Sequence, residues 1–208
     1  VPLQNRVTPF GTLERHRARG LLMGNRGGRL HNPQTRTLTR RRWASRHWII
    51  CVTRFRERQR TVMSPSSYTE LFFLDEVTAL AAGHRPCYEC QRQRALQFAD
   101  AFATGRGLAD IRAREMDRHL HGERLARGNP PVPLKSETVK LLPDGVMVAH
   151  GSTCFAARAG RLLPWAHDGY GPAIDIDAGR QFVQLTPPST VAAIKAGFTP
   201  WFHPTATP

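Results

Sequence analysis

The sequence predicts an α+β protein: a β-rich N-terminal lobe carrying a Cys-x-x-Cys knuckle, a central helical segment, and a smaller β-rich C-terminal lobe. Three observations carry this prediction. β-branched and aromatic runs punctuated by Gly fill the first ninety residues. Residues 91–127 place apolar side chains at helical spacing instead. A Gly-Asn-Pro-Pro-Val-Pro break at 128–133 then precedes further short β-prone runs. The expected division is residues 1–128, a linker over 129–136, and residues 137–208 with a terminal helix.

The elements follow in order. Residues 20–31 have apolar arms around a Gly/Asn turn and read as a hairpin. Trp48, Ile49, Ile50, Cys51 and Val52 form a β-prone run, and the alternation over 54–58 reads as its continuation. Residues 68–74 read as another strand. Asp75 is placed to cap a helix over 75–82, which Gly83 ends. A helix over 91–104 brings Leu96, Phe98 and Phe102 towards one face. Gly105 and Gly107 interrupt it, and a second helix over 108–127 carries Ile111, Met116 and Leu120. Residues 140–142 and 146–149 read as strands around Pro143-Asp144-Gly145, with further strands at 153–156 and 182–185. Residues 165–171 read as a loop, and a last helix runs from Pro188 to 196. Residues 77–86 and 191–200 share the pattern Val-x-Ala-[Leu/Ile]-x-Ala-Gly-x-x-Pro, a candidate repeat.

Charge is unevenly distributed. Residues 1–66 hold fifteen Arg and two acids, Glu14 and Glu57, a net +13 of the chain's +14. An Arg-rich codon usage explains the scarcity of Lys but not this asymmetry. Guanidinium groups bind phosphate in a bidentate fashion and stack on bases. The expected partner is therefore a nucleic acid. Arg40, Arg41, Arg42, Arg46, Arg54, Arg56, Arg58 and Arg60 are the candidate phosphate contacts, with Trp43 and Trp48 as stacking or core residues. No apolar run is long enough to span a membrane. Four Cys are too few for a disulfide scaffold, so a cytoplasmic protein with reduced thiols is expected.

Cys87-Tyr88-Glu89-Cys90 offers two thiolates to one tetrahedral metal ion, or a redox pair. Redox pairs of this spacing open a helix after a strand, whereas this one follows a predicted helix, which favours metal. Upstream, His47 and Cys51 are separated by an even number of residues and share one face of a strand. Fully extended, their Cα atoms would lie about 13 Å apart, so the strand must bend if both bind one ion. Cys51 and Cys154 otherwise read as core residues, and His31, His84, His119 and His121 are reserve ligands.

The stretch from the apolar strand through Ala82-Gly83-His84-Arg85-Pro86-Cys87-x-x-Cys90 resembles the second half of the Ada-type metal-binding module. The resemblance covers residues 70–92, and 47–52 in spacing. It implies a zinc site completed by an upstream pair, which gives the expected ligand set His47, Cys51, Cys87 and Cys90. In Ada itself the first Cys of that pair accepts a methyl group from a DNA phosphotriester. His47 stands there instead, so the resemblance implies structural zinc beside a basic nucleic-acid surface rather than methyl acceptance.

The densest polar cluster is Asp117, His119, His121 and Glu123. On a helix, Asp117 pairs with His121 and His119 with Glu123 at i,i+4. They are the candidate catalytic set for a second reading, a nuclease or glycosylase, and otherwise form an ordinary solvated face. The leading expectation is a zinc-stabilised nucleic-acid-binding protein, most naturally of DNA, in repair or processing. A protein-interaction module with structural zinc is the third.

Overall fold

The computed structural model describes residues 1–58, 61–126 and 133–208. Its α+β architecture has two six-stranded sheets and, among the described residues, five helices. The strands of the first sheet are β1 (Gln4–Val7), β2 (Leu13–Arg15), β3 (Leu22–Arg26), β4 (Trp48–Val52) and β5 (Leu71–Phe73). Helix α1 (Glu76–Ala81) and the short β6 (Arg85–Pro86) follow, then α2 (Arg92–Gly105) and α3 (Ala113–Ala126). The second half comprises β7 (Pro133–Lys135), α4 (Ser136–Lys140), β8 (Met147–His150), β9 (Thr153–Arg158), β10 (Arg161–Ala166), β11 (Gly169–Tyr170), β12 (Gln181–Gln184) and α5 (Pro188–Lys195).

The first sheet runs β2-β1-β5-β3-β4-β6, and the pairs β1/β5 and β4/β6 are parallel. Its two faces differ in chemistry. Leu22, Ile50, Leu71 and Phe73 point to the main core with Phe98, Phe102, Met116 and Leu120. The opposite face aligns Arg6, Phe72, Met23 and Cys51 in one cross-strand row. Asn25 and Ile49 pair in the next. This second face carries the candidate site.

Helix α1 is buried along its whole length. Asp75 caps it by accepting the Thr78 N–H and hydroxyl at 2.8 and 2.7 Å. Ala79, Leu80 and Ala82 face the main core, while Val77 and Ala81 face a second cluster with Met147, Ala156 and Leu163 of the other sheet. The helix is therefore the seam between the sheets. It ends as predicted at Gly83, whose φ is +84°. There the Gly83 N–H reaches the Leu80 carbonyl and the His84 N–H reaches that of Ala79. Helix α5 ends identically, with Gly197 bonding to Ile194 and Phe198 to Ala193. The candidate repeat is thus a shared helix stop, the Schellman arrangement.

Several expectations are corrected. The arms of 20–31 do not pair with each other: β3 pairs with β4 and β5. Gly24 permits this, because a Cβ there would sit 2.0 Å from the Ile49 carbonyl oxygen. Residues 54–58 do not extend β4. Helix α3 begins at Ala113 rather than 108, where Glu115 reaches back to the Arg112 N–H at 3.2 Å in a capping-box contact. Residues 136–140 form α4, placing Val139 against Val148 and Phe182, so the strand expected over 140–142 is absent. The loop expected over 165–171 is the β10/β11 hairpin, in which Trp165 pairs with Tyr170. Of the expected linker, 129–132 lies outside the described residues, and Pro133–Lys135 is strand β7, paired with β12. Helix α5 packs on α2, so both halves of the chain contribute to one core.

Candidate metal centre and its cavity

Three elements bring sulfur to one place. Cys51 sits near the end of β4. Parallel pairing of β6 with β4 sets Pro86 opposite Ile50, and the Cys87 N–H then donates to the Ile50 carbonyl at 2.9 Å. The same carbonyl accepts the Gln91 side-chain amide at 2.9 Å. Strand end and knuckle are thereby locked together. The Cys51, Cys87 and Cys90 sulfurs lie within 4.8 Å of one another, close enough to hold one metal ion. None of the four cysteines forms a disulfide.

Hydrogen bonds from Cys51 and Cys90, with the Glu89 N–H at 3.4 Å, hold the Cys87 thiol down to about 2. Hydrogen bonding to Cys87 and Cys90, together with burial, pushes Cys51 up. Three clustered sulfurs are soft donors of the kind that bind a soft cation once deprotonated. Cys154 stands apart, buried, with its thiol pushed up to about 12 by that burial and by Glu14.

The knuckle also corrects the argument from position. It follows α1, but β6 intervenes and α2 opens directly after it, which is the strand-to-helix setting of a redox pair. The third sulfur, not the preceding helix, is what favours metal.

His47, expected as the fourth ligand, is not in the group. β4 stays extended, and the imidazole instead lies against Asp117, Nε2 to Oδ2 3.8 Å. The reserve histidines are also elsewhere. His31 Nδ1 bonds Thr69 Oγ1 at 2.8 Å, and His84 is fully buried between Trp48 and Phe73. No other described residue joins the three sulfurs in the group, so an ion held there would keep room for water or substrate.

All three cysteines line a cavity of about 260 Å³ on the polar face of the first sheet. Phe55, Tyr68 and Phe72 supply its aromatic surface, and Arg19 and Arg58 its cations. Arg58 pairs with Glu89, inside the knuckle, at 2.6 Å. Glu70 also lines it and is 1% exposed. Glu70 Oε2 accepts the Met63 N–H at 2.6 Å, whereas Oε1 has no hydrogen-bond partner among the described residues. The sequence pattern does not single out Glu70 or Arg19. The available signal was an acid two residues before Phe72 in a strand whose alternate residues, Leu71 and Phe73, are core.

The candidate catalytic set does not converge. Asp117 is buried and takes Arg85 through two 2.8 Å bonds. His119 packs towards Phe102, and His121 sits edge-on to Trp43. Burial lowers the His121 pKa, helped by Arg124 and Arg46. Glu123 accepts the Ser189 N–H at 3.1 Å and its hydroxyl, at the start of α5. Each residue serves a different neighbour.

Of the candidate phosphate contacts, Arg40, Arg41, Arg42, Arg46, Arg54, Arg56 and Arg58 are exposed, and Arg60 lies outside the described residues. Arg6 and Arg26 are buried and belong to the fold. Trp48 is core, flanked by the Arg26 and Arg124 guanidiniums at 4.0 and 4.2 Å from its ring, while Trp43 is half-buried. Among the described residues no helix is long and apolar enough to cross a membrane.

No family model, no curated protein and no solved structure matches the chain.

Proposed function

We propose that this protein holds one zinc ion through Cys51, Cys87 and Cys90 and binds nucleic acid, with DNA the partner that the Ada-type resemblance suggests. The observation that carries the reading is the convergence of three sulfurs within 4.8 Å at a cavity of the Arg-rich half of the chain. Soft thiolates in a tetrahedral arrangement suit zinc. The exposed Arg side chains supply a sequence-independent attraction to phosphate, and repair or processing is the role such a surface would serve.

Metal analysis of the purified protein tests the first part: about one zinc per chain is expected, and loss of it in Cys87→Ser. A metal-free wild type with a normal fold overturns it. Oligonucleotide binding tests the second part. The logarithm of affinity should fall linearly with that of salt concentration, and absence of binding at low salt overturns it.

A second reading, a nucleic-acid-processing enzyme, draws support from the three-ligand site in a cavity, because such sites keep a position for water or substrate. It moves the candidate chemistry from α3 to the cysteines and Glu70.

A further inference from the structure

The cavity lining has three chemically distinct parts. Phe55, Tyr68 and Phe72 supply aromatic lining, with the Arg6 and Arg19 guanidiniums over the Phe72 ring and those of Arg56 and Arg58 over Phe55, and Arg19 and Arg58 are exposed, Arg58 paired with Glu89. Glu70 and Asn25 form a buried polar edge. The volume of about 260 Å³ lies below the roughly 300–1,000 Å³ of sites for drug-sized ligands, and suits one small ring system.

The polar edge is incomplete in a specific way. Glu70 Oε1 is buried with no donor among the described residues, a costly state that a native fold seldom keeps without a reason. A carboxyl oxygen can accept, so a partner that brings an N–H or O–H would satisfy it. Asn25 Oδ1 is occupied by the Gly27 N–H at 2.8 Å, so its NH₂ is the group left to donate. An acceptor and a donor lining one cavity with aromatic side chains match the edge and face of a nucleobase. Arg19, and Arg58 on exchanging Glu89 for it, suit the phosphate that accompanies it.

The geometry points to the cavity as a binding site for a single unstacked nucleobase. Glu70 and Asn25 take its edge, Phe55 and Phe72 its face, and Arg19 and Arg58 its phosphate. The inference deepens the nucleic-acid reading and rests on it for the strand-borne source of the base. A free nucleotide carries the same chemistry.

The test uses the full zinc-loaded chain with three probes: a short single strand of deoxyadenosine, an abasic strand of equal length, and adenosine monophosphate. The base-bearing strand should bind roughly tenfold or more tightly than the abasic one. Glu70→Gln, which keeps an acceptor for Met63, and Phe55→Ala should each remove that advantage while zinc content and the salt slope stay unchanged. If neither strand binds but the mononucleotide does, and Glu70→Gln abolishes it, the nucleobase site stands with a free nucleotide as its ligand and the nucleic-acid reading falls. If both strands bind equally and the mononucleotide does not bind, the nucleobase site is overturned, while salt-dependent strand binding leaves the nucleic-acid reading in place. Variants that bind like the wild type also overturn it.

Discussion

The cysteine cavity and the α3 cluster are both rich in chemically capable side chains and each keeps a buried atom without a hydrogen bond among the described residues, Glu70 Oε1 and His121 Nδ1, yet their other groups end in different states. On α3, Asp117 is neutralised by Arg85 and Glu123 accepts from Ser189, with both partners drawn from distant parts of the chain. At the cavity, three sulfurs lie within 4.8 Å of one another and a buried Glu70 oxygen has no donor among the described residues. The difference teaches that density of polar residues along a sequence does not make a site. Unmet bonding capacity converging in space is the better mark.

The comparison breaks most directly at the sulfurs. Cys51→Ser and Cys90→Ser should each reduce bound zinc from about one per chain to a small fraction, read by metal analysis. Retention of full zinc in both would mean that the three sulfurs are not its ligands. Next in size is Asp117→Ala, which leaves the Arg85 guanidinium buried and unpaired. It should lower the unfolding free energy by about 3–5 kcal/mol in urea titration, and the folded fraction should keep its zinc. Glu123→Ala removes the acceptor at the start of α5 and should cost about 1–2 kcal/mol, again without loss of metal. The smallest effect belongs to His47→Ala. Its side chain is 55% exposed and only approaches Asp117, so stability should change by no more than about 0.5 kcal/mol and zinc content not at all. Zinc loss in that variant would restore His47 as a ligand and collapse the contrast.

What could be read from the sequence was local. The Asp75 cap, the Gly83 stop and the core of β4 depend on neighbours a few residues away, and each is found in place. Cys51, Cys87 and Cys90 were legible because their spacing and residue type narrow the chemistry. Partners chosen across the fold were not. His47 goes to Asp117, seventy residues later, because β4 remains extended and cannot curl back over Cys51. The hairpin misreading has the same origin: Gly27 and Gly28 do turn the chain, but β3 finds β4 beyond a long excursion. Glu70 was hidden in a strand that otherwise reads as apolar, and its missing donor is visible only once the neighbouring strands surround it.

The caps of α1 bear on the order in which the chain folds. Burial pushes the Asp75 carboxyl up, offset by bonds from Thr78, the His203 N–H and the Tyr170 hydroxyl. Tyr170 lies 95 residues after Asp75 and His203 lies 128. The Trp201 N–H closes on Glu76 across 125 residues. The cysteine group, by contrast, is complete by residue 90. During synthesis the sulfurs can gather early, while the start of α1 must wait for the last turns of chain before its two acids leave water. Closing so long a loop is an intrinsically late and slow event. The central helix of the molecule is therefore fastened from its far end, in the manner of a clasp that shuts only when the whole strap has been drawn round.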